Sequence, residues 1–382
     1  MYDEKKYKEE IASILGCSPD SIFLYWKGRV ALYAALKAME IKTGDEIILP
    51  AFTCVVVPNA IIYAEAIPVY VDISVENYNL DLTKLYGAIS SKTKAILCQN
   101  TFGLSSNVEE IVDIAAKKKL YTIEDCTHGF GGLYNGKPNG SYCDAAFYST
   151  QWNKPFSTGI GGFLVVNNLN LLEKVRSLEV DKIKPGFKEK HLLSSLIFFR
   201  KYFINNFTQA VLVKLFRLLS MYNLIPGSNQ GSELRSPELP EDYFKDISPV
   251  QIKTGLKNLR GINALNTRRK DNANDYTKFL REHNKTYIKE QLFNNHIFLK
   301  YPLLVKDRKL FFALAKESGI ILGDWFLSPL HPIEKDLDLW GFNVDLFPNA
   351  VSISEKIVNL PTDIKNNQKV LRFLKIYLDM IE

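Results

Sequence analysis

The chain has 382 residues, a length that at roughly 100 to 200 residues per domain gives two domains, or one large domain with an appendage. Its composition is 46% hydrophobic, 12% aromatic and 24% charged, which excludes disordered, collagen-like and coiled-coil architectures. The formal charge of +6 is too small to demand nucleic acid and suits an anionic small substrate equally well.

Five cysteines (Cys17, Cys54, Cys98, Cys126 and Cys143) form no CxxC pair, so neither a disulfide framework nor a zinc site is expected, and the thiols read as reduced. The opening MYDEKKYKEE lacks the apolar region of a secretory signal, and no apolar run approaches the roughly 18 residues of a membrane span. A cytoplasmic location is the expectation.

In chain order, Arg29 to Met39 has the apolar period of an amphipathic helix. Thr43-Gly44-Asp45 then turns the chain into a strand over Glu46 to Leu49, ended by Pro50, and a helix follows over 55–65. Strands are predicted at Pro68 to Ile73, Lys94 to Cys98 and Leu120 to Glu124, separated by helices near 81–88 and 107–118. Asp144 to Ser149 and Gly162 to Val166 add two more around a glycine-rich turn. Repeated strand-helix-strand steps imply a mostly parallel sheet flanked by helices, with right-handed crossovers. Beyond it the character changes to basic, apolar and then polar loop-like sequence, read as an insertion. One long helix over 249–282, a strand over Ile297 to Leu304 and helices over 308–318 and 364–380 complete the chain. The division is an α/β domain over 1–181, a helical and loop insertion over 182–248, and a smaller α+β domain over 249–382.

In an open parallel sheet, ligands bind beyond the carboxyl ends of the strands. Three groups lie at such positions. Asp125 follows the strand LYTIE and precedes Cys126-Thr127-His128. The loop STQWNKPFSTGIGG, from Ser149 to Gly162, holds a single lysine, Lys154. Lys27-Gly28-Arg29 opens a helix, whose free N–H groups and dipole favour a phosphate. Singly, each reads as an ordinary turn, cap or solvated charge. Together they supply what pyridoxal phosphate needs: a lysine to hold it covalently, a carboxylate for its ring nitrogen, and a helix start with hydroxyls for its phosphate.

The runs GRVALYAALKAMEIKTGDEIILPAFTC, AIPVYVDI, SSKTKAILCQNTFG, LYTIEDCTHGFGGLYNGKPNGSYCDAAFYS and FPNAVSISEKIVNLPT resemble the DegT/DnrJ/EryC1/StrS family of sugar aminotransferases, which have the aspartate-aminotransferase fold (fold type I). The resemblance implies that 1–181 is the cofactor-binding domain and that Lys154 is the lysine that holds the cofactor, favouring transamination over the dehydration of relatives with histidine there. It implies that Asp125 pairs with the pyridine nitrogen, that His128 lies near the phenolic oxygen, that Ser149 binds the phosphate, and that Gly28 and Arg29 form the phosphate-binding helix start. Expected substrates are a nucleotide-linked keto-sugar and glutamate, for glycan or surface-polysaccharide biosynthesis, with active sites shared in a homodimer. The alternatives are a pyridoxal-phosphate dehydratase or isomerase, and a regulatory or scaffold protein that has lost the reaction.

Three departures accompany the resemblance. Cys54 stands where many members place an aromatic over the cofactor ring, leaving Phe52 or another residue to cover it. Ile160 replaces the glutamate of the usual TGEGG run. The family's Asn-x-Arg motif, lent to the dimer mate, has no counterpart in Tyr243-Phe244-Lys245-Asp246. His331 could touch a substrate and Trp152 and Trp325 could line a sugar pocket, but structural and packing roles are preferred; Lys182, Lys184, Lys188 and Lys190 could attract a nucleotide diphosphate, but a solvated face is preferred. Residues 192–222 combine apolar content with positive charge, which invites a membrane surface. Arg200, Lys201, Lys214 and Arg217, however, spread around the helical wheel, and Asn205-Asn206 breaks the segment, so the expectation is packing on the protein itself, over the active-site entrance or the subunit interface.

Overall fold

The computed structural model describes residues 2–105, 107–203 and 232–382, and between 204 and 231 only Thr208, Leu212, Phe216, Leu218, Leu219 and Ile225. Asn205-Asn206, Lys214 and Arg217, on which the wheel argument partly rests, lie outside the described residues. The central sheet has seven strands: β1 (Ile22–Tyr25), β2 (Glu46–Pro50), β3 (Ile67–Val71), β4 (Thr93–Gln99), β5 (Tyr121–Asp125), β6 (Ala145–Ser149) and β7 (Gly162–Val166). Their order is β1-β7-β6-β5-β4-β2-β3. Only β7 runs against its neighbours; the others are parallel, as expected.

Helices cover both faces of the sheet, so its strands read as apolar runs instead of alternating patterns. Side chains nonetheless alternate by the pleat: Ile47 and Leu49 enter the core on one face with the helix Gly28–Ala38, while Ile48 packs on the other with Val108, Ile111 and Ala115 of the helix Val108–Lys118. A third cluster joins Ile22 and Leu24 of β1 to Tyr7, Ile11 and Leu15. These last three belong to an N-terminal helix, Tyr2–Leu15, that the charged opening obscures; its apolar residues recur at helical spacing and face the helix Pro249–Leu259.

Three expectations in the C-terminal part are corrected. The single helix over 249–282 is two, Pro249–Leu259 and Ile262–Glu282, divided at Arg260-Gly261. The strand predicted over Ile297 to Leu304 is confined to Tyr301–Leu304, because Phe298 takes a positive φ of 51° and Ile297 and Leu299 pack as irregular chain against Gly103. The last helix runs only from Gln368 to Ile376, followed by a short turn over Leu378–Met380. Tyr301–Leu304 pairs with Ile357–Leu360 in a two-stranded sheet.

Within 182–248, the chain departs from and returns to the edge of the main sheet: Ile183 bridges Lys245, and Asp246 bridges Tyr25 of β1. A helix, Phe187–Phe203, follows its start. Its Leu193 and Ile197 pack with Trp26, Trp152 and Ile160, so Ile160 is a buried packing residue and this helix lies over the Lys154 loop. Lys182 is not solvated: it pairs with Glu179 at 2.7 Å and Asp246 at 2.8 Å.

Candidate active site

The parallel strands deliver Pro50, Gln99, Asp125 and Ser149 to one edge of the sheet, and β1 ends there at Tyr25, just before Lys27-Gly28. Gly28 begins its helix with Lys27 as an N-cap that gives no side-chain hydrogen bond, leaving first-turn N–H groups for an anion. A Cβ on Gly28 would stand 2.8 Å from the Tyr148 carbonyl oxygen and 2.9 Å from Ser149 Cβ. Only glycine lets the helix start and the Ser149 hydroxyl close on one small space.

The loop from Thr150 to Gly161 is fastened at its root. Thr150 N–H donates to the Gly161 carbonyl at 2.9 Å, Thr158 N–H to the Thr150 carbonyl at 2.7 Å, and Gln251 Nε2 to the Ile160 carbonyl at 2.6 Å. Arg269, buried in the helix Ile262–Glu282, donates through Nη2 to the Pro155 carbonyl at 3.2 Å. These ties hold Lys154 at the sheet edge, half-buried, with Nζ 3.5 Å from Thr127 Oγ1. Loss of surrounding water pushes the Lys154 ammonium down to about 8, against the pull of Asp125 and Cys54.

Asp125 is 3% exposed, and its Oδ1 accepts the Thr127 N–H at 2.9 Å. Burial raises its carboxyl, while the Thr127 hydrogen bonds and the Lys154 charge oppose the rise. His128 is buried three residues further on, where its Nδ1 accepts the Phe102 N–H at 3.2 Å, so the neutral ring carries its proton on Nε2. Burial, with Lys154 next, drives the imidazole well below its usual range. Lys154, Asp125 and His128 thus share one edge, and Gly28 and Ser149 meet each other there.

Arg29 stands in the first turn of the helix, and its side chain turns to an internal carboxylate. Its Nη1 lies 2.6 Å from Glu233 Oε2, both residues are buried, and Lys27 Nζ is 3.9 Å from the same oxygen. Glu233 comes from the short turn Ser232–Leu234, and its carbonyl accepts from Asn59 Nδ2 at 2.9 Å. Cys54 pairs in parallel with His331, and Phe52 is packed beneath against Phe326, with ring centroids 4.8 Å apart.

Trp325 was expected to be a packing residue; it is half-exposed and faces the site. Its ring stacks on His128 with centroids 4.5 Å apart and planes 1° from parallel, and Lys154 Nζ lies 4.4 Å from its centroid. His331 Nδ1 accepts the Leu327 N–H at 3.1 Å in the same loop. Gln99 also escaped the sequence reading: it accepts from Thr53 Oγ1 at 2.7 Å and donates to Thr101 Oγ1 at 2.9 Å. It ends β4 as Asp125 ends β5, so the strand-end rule would have found it. Nothing in the local sequence marks Glu233 or Arg269, which arrive from distant segments. Among the described residues, no group of acidic, histidine and cysteine side chains could hold a metal ion.

The sequence profile of the DegT/DnrJ/EryC1/StrS aminotransferase family matches residues 6–223 and 246–371, which leaves only 224–245 of the presumed insertion outside it. A GDP-perosamine synthase of Escherichia coli O157:H7 is 39% identical over 147 residues, 38% of this chain and 40% of that protein, so the match spans about two fifths of that relative's length. A protein of Geobacillus stearothermophilus named as a pleiotropic regulatory protein is 27% identical over 340 residues, 87% of this chain and 77% of its own. The crystal structure of a DegT DnrJ EryC1 StrS aminotransferase from Brucella abortus superimposes with a TM-score of 0.75 at 19% identity, covering 98% of this chain and 90% of that one. The chain belongs to the DegT/DnrJ/EryC1/StrS aminotransferase family.

Proposed function

We propose that this protein is a pyridoxal-phosphate-dependent aminotransferase that moves an amino group from glutamate to a keto-sugar carried on a nucleotide. The observation that carries the reading is the shared edge on which the half-buried Lys154, the buried Asp125 and the neutral His128 meet, beside a Gly28–Ser149 cradle that a single Cβ would fill. Those residues fit the cofactor. The Gly28 and Arg29 N–H groups and the Ser149 hydroxyl would hold its phosphate, Lys154 its aldehyde carbon, Asp125 its ring nitrogen and His128 Nε2–H its phenolic oxygen.

Bound there, pyridoxal phosphate supplies an electron sink for the carbon that loses its proton. Asp125, kept out of water, holds a proton on the ring nitrogen by its negative charge. Lys154, with an ammonium brought down to about 8, can be neutral near physiological pH and can take a proton from the donor carbon and return it elsewhere. His128 stays uncharged and donates through Nε2, which orients without adding positive charge.

The family supports the aminotransferase class, and the named activity of the E. coli relative supports a nucleotide sugar as acceptor. We further infer a homodimer with shared sites and a cytoplasmic location; among the described residues no helix is long and apolar enough to cross a membrane. Arg29 is included among the phosphate-binding residues through its main chain. The test is the visible absorbance of the purified protein incubated with pyridoxal phosphate, before and after glutamate. A cofactor band that disappears with release of 2-oxoglutarate supports the reading. A band that glutamate leaves untouched would assign the chain to the non-transaminating members, dehydratase or regulatory.

A further inference from the structure

We propose that Trp325 is a positioning residue of the active centre, holding the Lys154 ammonium at its ring and the His128 imidazole against its plane. This deepens the functional reading above and rests on it for the identity of the reacting lysine. The ring touches both groups at once: 4.4 Å from centroid to Lys154 Nζ and 4.5 Å, at 1°, to His128.

The loop that carries it is fixed on every side. Trp325 N–H donates to Asn359 Oδ1 at 3.0 Å, and Gly323 and Asn359 exchange both backbone hydrogen bonds, at 2.8 and 3.1 Å. The next residue, Phe326, is buried with its ring 4.8 Å from Phe52 and 5.8 Å from Phe102, and Leu327 is tied to His331. Asn359 itself is fully buried in the strand Ile357–Leu360. The C-terminal part of the chain therefore delivers one rigid aromatic face to residues placed by β5 and the β6–β7 loop.

Two effects of the ring oppose each other at Lys154. Its π face attracts an ammonium, while its bulk keeps water from that ammonium. Desolvation is the larger influence on this lysine, so the net action of Trp325 is to keep the amine reactive at moderate pH. The other groups that act on Lys154 are Asp125, Cys54 and Arg29; those that act on His128 are Lys154, Lys300 and His331. None of them is altered by changing Trp325 to another aromatic.

The experiment uses cofactor-free protein and acetic anhydride, with acetylation of the Lys154 peptide followed by mass spectrometry as a function of pH. Wild type is expected to show a midpoint near about 8. Trp325→Phe should stay close to it, and Trp325→Ala should move by at least about one pH unit toward the ordinary lysine value of about 10.4, a tenfold loss of neutral amine. An unmoved midpoint in Trp325→Ala, or an equal shift in Trp325→Phe, overturns the proposal. Should the alanine variant not fold, tryptophan fluorescence of wild type decides: a step with the Lys154 midpoint that vanishes in Trp325→Phe supports the contact, and one that persists refutes it. Both measurements are made without cofactor, so failure of wild type to bind pyridoxal phosphate would count against the proposed function and not against this contact.

Discussion

Gly28 and Ser149 touch across the end of the sheet: a Cβ on Gly28 would lie 2.9 Å from Ser149 Cβ and 3.0 Å from its Cα. The contact sets a helix start directly beside a strand end, and it has no room for a methyl group. Gly28→Ala is therefore expected to displace the helix start, at a cost of about 1–3 kcal/mol, and to lower retention of pyridoxal phosphate. Ser149→Ala should weaken retention by about 1.5–3 kcal/mol through loss of a charge-assisted hydrogen bond. Equilibrium dialysis against pyridoxal phosphate, with pyridoxal as the phosphate-free control, measures both. Equal losses for the two ligands would place the phosphate elsewhere.

Lys154 carries little of the packing, being half-buried in a loop whose backbone is held by Thr150, Thr158, Gln251 and Arg269. Lys154→Ala should consequently fold, lose covalent cofactor capture and lose turnover. Retained turnover would remove the lysine from the mechanism. Asp125→Asn should still bind cofactor but slow proton removal from glutamate by orders of magnitude, because an amide does not hold a charge at the ring nitrogen. Stopped-flow absorbance after glutamate addition reads that rate directly.

The Arg29–Glu233 pair separates stability from cofactor binding. Both groups are buried, with Nη1 and Oε2 2.6 Å apart, and removing one partner of such a pair leaves a buried charge, at about 3–5 kcal/mol. Glu233→Gln and Arg29→Ala should each lower the unfolding free energy from urea denaturation by that order. A loss of cofactor retention in Arg29→Ala without loss of stability would assign the guanidinium to the phosphate instead.

Acid should destabilise the fold through buried histidines. His296 is fully buried, its Nδ1 accepts the Phe298 N–H at 2.9 Å, and burial brings its pKa down to about 3. The unfolded chain takes up its proton near the ordinary value of about 6.5. Stability from this group is thus complete above about 6.5 and falls with decreasing pH until about 3, by about 1.4 kcal/mol per pH unit. His128, lowered in the same direction, adds to the slope. Urea unfolding at a series of pH values should show it, and His296→Gln should flatten it.

The sheet was legible because apolar runs bounded by Gly, Pro and Asp leave few alternatives, and the expected strands from Glu46 onward lie where β2 to β7 are found. Lys154, Asp125, Gly28 and Ser149 could be named for the same reason: each follows a strand end or opens a helix, a property carried by neighbouring residues. Local sequence failed where a residue's role depends on partners far along the chain. The N-terminal helix Tyr2–Leu15 looks merely charged until its stripe of Tyr7, Ile11 and Leu15 meets Pro249–Leu259. Lys182 reads as solvated until Glu179 and Asp246 close on it, and nothing near Arg29 in the sequence shows that its guanidinium pairs with Glu233 of the turn Ser232–Leu234. Trp325 becomes part of the site only because Asn359 and Phe52 hold its loop against β5. Sequence alone determined the strands, the edge and the chemistry available there; tertiary packing decided which cations are spent on internal carboxylates and which aromatic covers the lysine, since burial and long-range contact set both.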